Sequence, residues 1–372
     1  MRKRATVYDV AQAAGVSIAT VSFTFRRPER VRESTREVVL EAARRLEYVP
    51  NASARGLAHG RTGVLGLYAF DMFLEADGSR GARRVRVEAA DRDDGERRAF
   101  ADDADAEDFR VYPLYVDEVQ RGFQLECARR GRTLLVGRGP GAEGGRMLDI
   151  ASRVDGLAVF PGTQKPEVLA QLARRLPVVG FAMPDAPGDL HQVRVDNAGG
   201  ARAVTEHLVR EHGITRLEFV GAPEMPDYAE RFAGMQAALG DLGLPVPRAV
   251  LDPTPLAAVD PYPVVRRLAA RRAVPPALVC ASDQHALEVV QVLRDAGYCV
   301  PRDVAVTGFD GVVAGRVASP SLTTVRQPME AIGRAAVEIL TESLAVPDAG
   351  PLVRTFPLRL LTRESCGCTA PR

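Results

Sequence analysis

The sequence predicts a small all-α helix-turn-helix head, followed by a larger α/β body of two doubly wound parallel-sheet lobes. The chain has 372 residues, which is too many for one ordinary hydrophobic core. Residues 1–62 carry the patterns of three short helices. From Gly63 onward, short apolar runs alternate with amphipathic helical stretches, which is typical of α/β proteins.

Charge divides the chain at the same point. Residues 1–62 contain twelve Lys/Arg and six Asp/Glu, a net +6, which leaves −5 for the remainder of a chain whose total is +1. A basic head on a mildly acidic body suggests that the head meets a polyanion. Chance clustering of surface arginines would give the same division, so the charge alone does not decide.

The composition favours a globular protein over a membrane protein. Hydrophobic residues make up 46% of the chain and charged residues 26%, as in globular proteins in water. No run of 18 apolar residues exists, so we expect no membrane-spanning helix and no membrane partner. The N-terminus is basic but no apolar segment follows it, so we expect no signal peptide and a cytoplasmic, nucleoid-associated location.

The five cysteines are scattered and predict no disulfide framework. Cys366-Gly367-Cys368 has the residues for a metal site or a redox pair. We predict neither a metal site nor a cofactor, because this motif sits in a tail expected to fray and the five histidines are not at ligand spacing. No P-loop, GxSxG, HExxH or catalytic metal cluster is found in the sequence either, so we expect that the protein is not an enzyme.

The head should contain three helices with a tight glycine turn after the first. Thr6 begins the first helix as its N-cap, and Gly15 ends it. Ser17 caps a second helix that runs to about Phe25. Residues 34–37, Ser-Thr-Arg-Glu, have the pattern of a capping box that opens a third helix. The residues expected on its buried face are Val38, Val39, Leu40, Ala42 and Leu46.

The body should contain nine buried strands with helices between them. The predicted strands are residues 64–70, 133–137, 156–160, 177–181, 192–195, 216–221, 277–282, 304–309 and 323–327. The predicted helices include 199–212, 228–240, 262–273, 285–297 and 328–345. Continuous apolar strands separated by helices indicate parallel sheets covered on both faces. A ligand cleft is expected where the carboxyl ends of the strands meet.

One segment breaks this alternation. Residues 74–111 contain twelve acidic residues and eight arginines, with almost no periodic apolar face. We interpret the segment as a solvated insertion or a disordered loop. A regulatory appendage is the alternative.

Several motifs resemble one known family. Residues 6–22, TVYDVAQAAGVSIATVS, closely resemble the head of the lactose/galactose repressor (LacI/GalR) family, and 47–51 and 54–57 resemble the end of its third helix and its hinge. In the body, VDNAGG (195–200), HL (207–208), RFAG (231–234), SD (282–283), GFD (308–310) and LTTVRQ (322–327) are similar in order and spacing. The resemblance covers essentially the whole chain except the 74–111 insertion.

The resemblance implies a domain order and a periplasmic-binding-protein-like body. Residues 1–50 would form the helix-turn-helix DNA-binding domain, 51–62 the hinge, and 63–372 the effector-binding and dimerisation domain. Within the body we expect lobe 1 to comprise about 63–195 and 329–355, and lobe 2 about 196–328 and 356–365.

The resemblance also implies which residues touch DNA. Ile18, Ala19 and Phe23 occupy the positions where similar repressors place base-reading side chains, and here they offer only apolar contact, for instance with a thymine methyl. Short hydroxyls suited to phosphate contacts complete the head's set, namely Thr6, Ser17, Thr20 and Ser22. For Ser17, helix capping is an equal alternative, and one side chain can do both.

In similar proteins the hinge folds on operator DNA and a leucine enters the minor groove. Leu57 matches that leucine, although an ordinary linker hydrophobe is the alternative. Asn51 and Arg55 are the other expected hinge contacts. Family members often have Lys or Arg after the leucine; here Ala58 and His59 follow it, so the resemblance does not extend to that extra contact.

The expected effector contacts are Phe160, Asp227, Arg231, Ser282 and Asp310. By resemblance, Arg231 grips effector oxygens and Asp310 lies on the opposite side of the cleft, a pair suited to a polyhydroxyl ligand. An interlobe ion pair is the alternative for these two, and a core position is the alternative for Phe160. We expect Asp227 in the loop before Arg231 and Asp283 as a helix cap. Asp196 and Asn197 look like a lobe-crossing turn and are left out of the site.

The resulting interpretation is a sequence-specific transcription regulator, expected to repress. A homodimer, with a tetramer left open, would present two heads to near-palindromic double-stranded operator DNA. A small-molecule effector, expected to be a carbohydrate, would change the operator affinity. A periplasmic sugar-binding protein and an enzyme are the competing classes; the first would need an export signal and would lack the head.

Overall fold

The computed structural model describes residues 5–26, 28–48, 61–69, 114–138, 145–161, 165–183, 190–255, 261–346 and 349–369. They belong to two compact units, Met1–Thr62 and Gly63–Arg372. The predicted hinge contacts Asn51, Arg55 and Leu57 and the predicted 74–111 insertion lie outside the described residues.

The first unit is a three-helix head. Its helices are α1 (Val7–Ala14), α2 (Ile18–Arg26) and α3 (Glu33–Arg45), with a short 3-10 turn at Pro28–Arg30. Thr6 and Asp9 form the reciprocal capping box that opens α1, and Gly15 ends α1 with a left-handed φ of 66°. The Ser17 hydroxyl accepts the Thr20 backbone N–H at 3.1 Å, as expected for the cap of α2. The buried core of the head consists of Val10, Ala11, Val21, Val39, Ala42 and Ala43.

The prediction for the third helix was wrong at its start and on one face. The helix begins at Glu33, after an Arg32 cap that makes no side-chain bond, because the Arg36 N–H already bonds the Arg32 carbonyl at 2.9 Å. Ser34 therefore lies inside the first turn and does not cap it. Val38 is 51% exposed, since the face packed on the other two helices is that of Val39 and the two buried alanines.

The second unit is the α/β body. In chain order its strands are β1 (Val64–Ala69), β2 (Thr133–Arg138), β3 (Gly156–Val159), β4 (Val178–Phe181), β5 (His191–Val195), β6 (Leu217–Val220), β7 (Ala277–Cys280), β8 (Ala305–Asp310), β9 (Thr323–Arg326), β10 (Val353–Phe356) and β11 (Arg359–Leu361). Its helices are α4 (Leu114–Arg129), α5 (Gly145–Ala151), α6 (Pro166–Ala173), α7 (Asn197–His212), α8 (Pro226–Asp241), α9 (Pro263–Ala270), α10 (Asp283–Asp295), α11 (Val313–Val317) and α12 (Met329–Ala345).

Two sheets define two lobes. Lobe 1 has the parallel order β10-β5-β4-β3-β1-β2, and lobe 2 has the order β11-β9-β8-β7-β6, parallel except for β11. The chain changes lobes after β5, after β9 and after β10. The connections after β5 and β9 leave from carboxyl ends of parallel strands, where open α/β sheets place their ligand sites.

The predicted parallel α/β architecture is confirmed. All nine predicted strands are present, and the five predicted body helices are present as well. Two strands were missed, β10 and β11, because none of their side chains is fully buried and neither forms a continuous apolar run. Among the described residues, no helix is both long and apolar enough to cross a bilayer.

Helices α4 and α12 of lobe 1 cross closely at Gly333, and this contact predicts the effect of a substitution on stability. A Cβ at Gly333 of α12 would lie 2.0 Å from the Val119 carbonyl oxygen of α4, so Gly333→Ala must push the helices apart. We expect this variant to lose about 1–3 kcal/mol of unfolding free energy. Gly240→Ala is the matched control, because the nearest atom to its new Cβ is 3.9 Å away, and helix propensity alone should make it neutral or up to about 1 kcal/mol more stable. Urea denaturation of both variants checks the pair; equal losses would contradict the packing argument.

Candidate functional site

The buried side chain of Arg231 is the centre of the candidate site in the body. It extends from α8, where its side chain is 4% exposed. Nε donates to Asn197 Oδ1 at 2.9 Å, and Nη1 donates to the Ala281 carbonyl at 2.5 Å. Two carboxylates share the charge, with Asp227 Oδ2 3.3 Å from Nη2 and Asp310 Oδ1 3.7 Å from Nη1. These contacts fix the planar guanidinium in one orientation.

The guanidinium of Arg231 also lies over two aromatic rings. Its central carbon lies 3.8 Å from the centroid of Phe309 and 5.4 Å from the centroid of Tyr228. Phe309 is in β8 directly before Asp310, so one strand end supplies both a ring and a carboxylate. Stacking and ion pairing together leave the arginine pre-organised at the carboxyl end of the lobe 2 sheet.

Asp310 has a perturbed carboxyl pKa and an unusual backbone conformation. Burial raises its pKa to about 7, while Arg231 and a hydrogen bond from Gln327 pull the pKa back down. Gln327 Nε2 donates to Asp310 Oδ1 at 2.8 Å, and the Gln327 N–H donates to the Asp310 carbonyl at 3.0 Å. The backbone of Asp310 has a φ of 118°, a region that costs strain for a residue other than glycine. Strain and a raised carboxyl pKa at one position are common at binding sites.

Two buried polar atoms beside Arg231 have no hydrogen-bond partner among the described residues. They are Asp227 Oδ1 and His285 Nε2. Burial, together with Arg231, lowers the pKa of His285 to about 3, so the ring is neutral. The Tyr262 hydroxyl donates a hydrogen bond to Glu288 Oε2 at 2.9 Å, so its oxygen accepts the hydrogen bond from His285 Nδ1–H at 2.8 Å. In this tautomer His285 Nε2 is an acceptor. The site thus has two unused acceptors that a ligand hydroxyl could satisfy.

Lobe 1 contributes Tyr115 to this region. The pKa of Tyr115 is raised, first by burial and then by the charges of Asp310 and Asp227, while Arg231 lowers it. Nearby, Glu118 of α4 and Arg326 of β9 form an ion pair between the lobes, with 3.3 Å between Glu118 Oε2 and Arg326 Nη2. The Tyr115 ring of α4 therefore lies within electrostatic range of the arginine site, and the Glu118–Arg326 ion pair joins the two lobes.

Phe160 occupies a different place from the one expected for a ring on a sugar face. It is fully buried in the lobe 1 core, with its centroid 4.8 Å from Phe181 and 6.1 Å from Tyr115. The core alternative describes its packing. A direct effector contact by Phe160 stays a prediction.

Three expectations placed site residues on the wrong lobe or in the wrong element. Arg231 and Asp310 both belong to lobe 2, so neither an opposite-wall pair nor an interlobe ion pair describes them. Asp227 is in the first turn of α8, one turn before Arg231, because Pro226 starts the helix earlier than expected.

The cap of α10 was also assigned to the wrong residue. Ser282 is the N-cap and accepts the His285 N–H at 3.3 Å. Asp283 is fully buried instead, and accepts the Thr324 hydroxyl at 2.5 Å and the Val312 N–H at 2.8 Å. Burial raises the pKa of Asp283 to about 8. An effector contact by Ser282 stays a prediction, since its hydroxyl already serves the helix.

Sequence reasoning missed Asn197, as it missed His285 and Tyr115. The Asn197 side chain accepts from Arg231 and donates to Glu230 Oε2 at 2.8 Å, while Asp196 caps α7 by accepting the Gly199 N–H at 2.8 Å. Its position after β5 was a usable signal, because polar residues at the carboxyl ends of parallel strands converge.

The prediction that the C-terminal cysteine motif lies in a frayed tail was wrong. Glu364–Cys366 forms a 3-10 turn packed on lobe 2, and Cys366 is 3% exposed, so this tail is not frayed. His207 and His212 lie beside both cysteines, which the sequence spacing did not indicate.

The head exposes apolar side chains on α2. Ile18 is 42% exposed, Phe23 is 43% exposed, and Ala19 is exposed as well. Tyr8 of α1, outside the predicted set, is 67% exposed. Thr20 and Ser22 are half-buried, and the Ser17 and Thr20 hydroxyls lie 2.9 Å apart. The second helix of the head thus presents an apolar surface with hydroxyls beside it.

Comparison with known proteins matches both units. The model for "bacterial regulatory proteins, lacI family" matches residues 6–51, and the model for a periplasmic binding protein-like domain matches residues 205–366. Similar proteins include the transcriptional repressor PurR of Klebsiella pneumoniae (strain 342), 27% identical over 91% of this chain and 90% of its own. Catabolite control protein A of Priestia megaterium is 27% identical over 97% and 98%.

Solved structures agree. A complex of the transcriptional regulator CelR with cellobiose is 26% identical, covers 97% of this chain and 100% of its own, and has a TM-score of 0.64. The lac repressor dimer bound to operator and an anti-inducer is 21% identical, covers 98% and 99%, and shares the fold with a TM-score of 0.75.

Head, body and matches define a DNA-binding transcriptional regulator with an effector-binding domain. Its head, residues 6–51, is a helix-turn-helix domain of the lacI family, and its body is similar to a periplasmic binding protein-like domain.

Proposed function

We propose that this chain is a homodimeric, non-enzymatic repressor whose affinity for a near-palindromic operator is set by a polyhydroxyl effector, a sugar or sugar derivative. The carrying observation is the arginine site: Arg231 fixed by Asn197 and Ala281, with Asp227, Asp310 and His285 around it. Guanidinium donors beside carboxylate and imidazole acceptors are what a ligand with several hydroxyls needs.

The chemistry of the site favours a neutral ligand with both donors and acceptors. Two carboxylates already share the charge of Arg231, so an anionic ligand would meet repulsion from Asp227 and Asp310. Hydroxyls can donate to the unpartnered Asp227 Oδ1 and His285 Nε2 and accept from the guanidinium. The cellobiose complex of CelR, a similar protein, supports this choice of ligand class.

On the DNA side, we propose that α2 enters the major groove. Ile18, Ala19 and Phe23 would make apolar contacts with bases, and the hydroxyls of Thr6, Ser17, Thr20 and Ser22 would contact phosphates. The exposed apolar surface of α2 supports this assignment, since large apolar side chains on a small free domain usually mark a contact surface. Asn51 and Arg55 would add hinge contacts.

The homodimer follows from the demands of a near-palindromic operator, in which two heads meet two half-sites. The lac repressor dimer on its operator supports this geometry by its shared fold. In the proposed mechanism the effector stabilises one arrangement of the two lobes, and that arrangement changes the spacing of the hinges.

Two steps test the proposal. Genome-wide DNA binding identifies the operator, and a panel of sugars and sugar derivatives is then screened for raised thermal stability of the full chain. We expect one class of carbohydrate to raise the Tm and to shift operator affinity. A regulator that responds only to anionic or purely apolar metabolites would contradict the proposed ligand class.

The hinge gives a separate prediction. Leu57→Ala should weaken specific operator binding while largely sparing scrambled DNA, because an apolar wedge acts only where a base step can be unstacked at a cost of a few kcal/mol. Gel shifts on operator and scrambled duplexes measure the ratio. Equal losses on both duplexes would make Leu57 an ordinary linker residue.

A further inference from the structure

Four side chains that can bind a metal converge at the C-terminal end of α7 in lobe 2. His207 and His212 come from the last turns of α7, and Cys366 and Cys368 come from the C-terminal segment. Their ligand atoms all lie within 4.8 Å of one another. Two elements far apart in sequence therefore bring two imidazoles and two thiols to one point.

Four of the six distances among these ligand atoms are close to those of a tetrahedral zinc site. With Zn–N of about 2.0–2.1 Å and Zn–S of about 2.3 Å, tetrahedral ligands place two nitrogens about 3.3 Å apart and a nitrogen and a sulfur about 3.6 Å apart. The two histidine Nε2 atoms are 3.2 Å apart. Cys366 Sγ lies 3.6 Å from His207 Nε2, and Cys368 Sγ lies 3.5 Å from His207 Nε2 and 3.4 Å from His212 Nε2.

The backbone is arranged to bring these atoms together. Gly213 ends α7 directly after His212 with a left-handed φ of 65°. Gly367 separates the cysteines with a φ of 101°, and a Cβ there would lie 3.4 Å from His212 Nδ1. A larger residue between the two cysteines would thus be both strained and crowded against the imidazole.

Buried hydrogen bonds fix the turn that carries Cys366. Ser365 Oγ donates to the Val306 carbonyl at 2.6 Å and accepts the Thr323 N–H at 2.9 Å. The Thr323 hydroxyl lies 3.0 Å from Cys366 Sγ. Contacts of this kind orient a ligating sulfur and hold it in place.

We propose that His207, His212, Cys366 and Cys368 bind one Zn²⁺ ion, which ties the C-terminal segment to α7. Thiolates and imidazoles favour Zn²⁺ over Mg²⁺ or Ca²⁺, which take oxygen ligands. Four protein ligands fill the tetrahedron and leave no position for a substrate, so the ion is structural. A disulfide between the cysteines would account for the sulfurs but not for two imidazoles that turn their Nε2 atoms toward them.

The zinc site and the arginine site lie at opposite ends of α7. Asn197, which holds Arg231, is the first residue of this helix, and His207 is ten residues later, about 15 Å along the axis. The ion would therefore stabilise lobe 2 without entering the effector site.

Metal content tests the proposal directly. The full-length protein is purified under reducing conditions with a tag that contains no histidine, and zinc is measured by mass spectrometry. We expect about one Zn²⁺ per chain in the wild type and in Cys299→Ser, which changes an exposed cysteine outside the cluster, and essentially none in Cys366→Ser/Cys368→Ser. Chelation of the wild type should lower its Tm by roughly 5 °C or more, and added Zn²⁺ should restore it.

Cobalt provides a readout that does not depend on any variant. Co²⁺ replacing Zn²⁺ in the wild type should show the visible bands of a tetrahedral site and a thiolate-to-cobalt charge-transfer band in the near ultraviolet. Zinc retained by the double cysteine variant, no uptake by the reduced wild type, a cobalt spectrum without thiolate bands, or a Cys366–Cys368 disulfide in the reduced preparation would each overturn the proposal.

Discussion

Arg231→Ala is expected to remove the response to effector while leaving operator binding near wild type. Loss of a charge-assisted hydrogen bond costs about 1.5–3 kcal/mol, which corresponds to roughly one to two decades of effector affinity. Arg231 belongs to the body and the recognition surface to the head, two separate compact units, so the substitution should not change the DNA contacts themselves. Calorimetry with the effector and gel shifts with the operator measure the two properties separately.

Two further variants keep this prediction informative. Arg231→Lys retains the charge that balances Asp227 and Asp310 but lacks the planar fork, so it should fold and still bind effector poorly. Arg202→Ala is the matched control, since Arg202 is a 37% exposed arginine of α7 whose partners are the surface acids Glu206 and Asp241. Unchanged effector affinity in a folded Arg231→Lys would place the ligand contacts elsewhere.

Val21→Asp is expected to have the opposite effect, with operator binding lost and effector binding retained. Val21 is fully buried among Val10, Ala11 and Val39, and a carboxylate there would be buried without a partner. A domain of this size has a small free energy of unfolding, so a destabilisation of several kcal/mol should unfold the head. We expect operator affinity to fall by more than about 100-fold, while calorimetry gives a wild-type effector affinity.

Val38→Asp is the matched control for this substitution, because Val38 is 51% exposed on α3. It should keep the head folded and change operator affinity far less. An equal loss in both variants would mean that Val38 itself lies on a DNA-contact surface, and loss of effector binding in Val21→Asp would contradict the independence of the two units.

The architecture could be predicted from sequence because its signals are local. Thr6, Asp9 and Gly15 mark the ends of α1 by hydrogen-bonding and backbone rules that need no tertiary contact. A parallel strand such as β7 is covered on both faces, so it is a continuous apolar run in the sequence. The missed strands β10 and β11 lie at sheet edges, where exposed and half-buried side chains leave no such signal.

The site was predicted less completely because its members converge from distant segments. Arg231 and Asp310 were found by motif, but their placement on the same lobe depends on which sheet each element joins. Asn197 looked like a turn residue, and only the packing of α7 against α8 brings its amide to the guanidinium. His207 and His212 gave no metal pattern by themselves, since the cysteines that meet them lie 154 or more residues away.

Thermodynamic linkage tests the central claim most directly. Operator affinity is measured by fluorescence anisotropy with and without saturating effector, and effector affinity by calorimetry with free and operator-bound protein. If the arginine site controls the head, the two ratios are the same factor, expected at about 5- to 150-fold, and the ratio of operator affinities falls toward unity in Arg231→Ala at an effector concentration that just saturates the wild type. Operator affinity that stays constant when a ligand fills the arginine site would contradict the account.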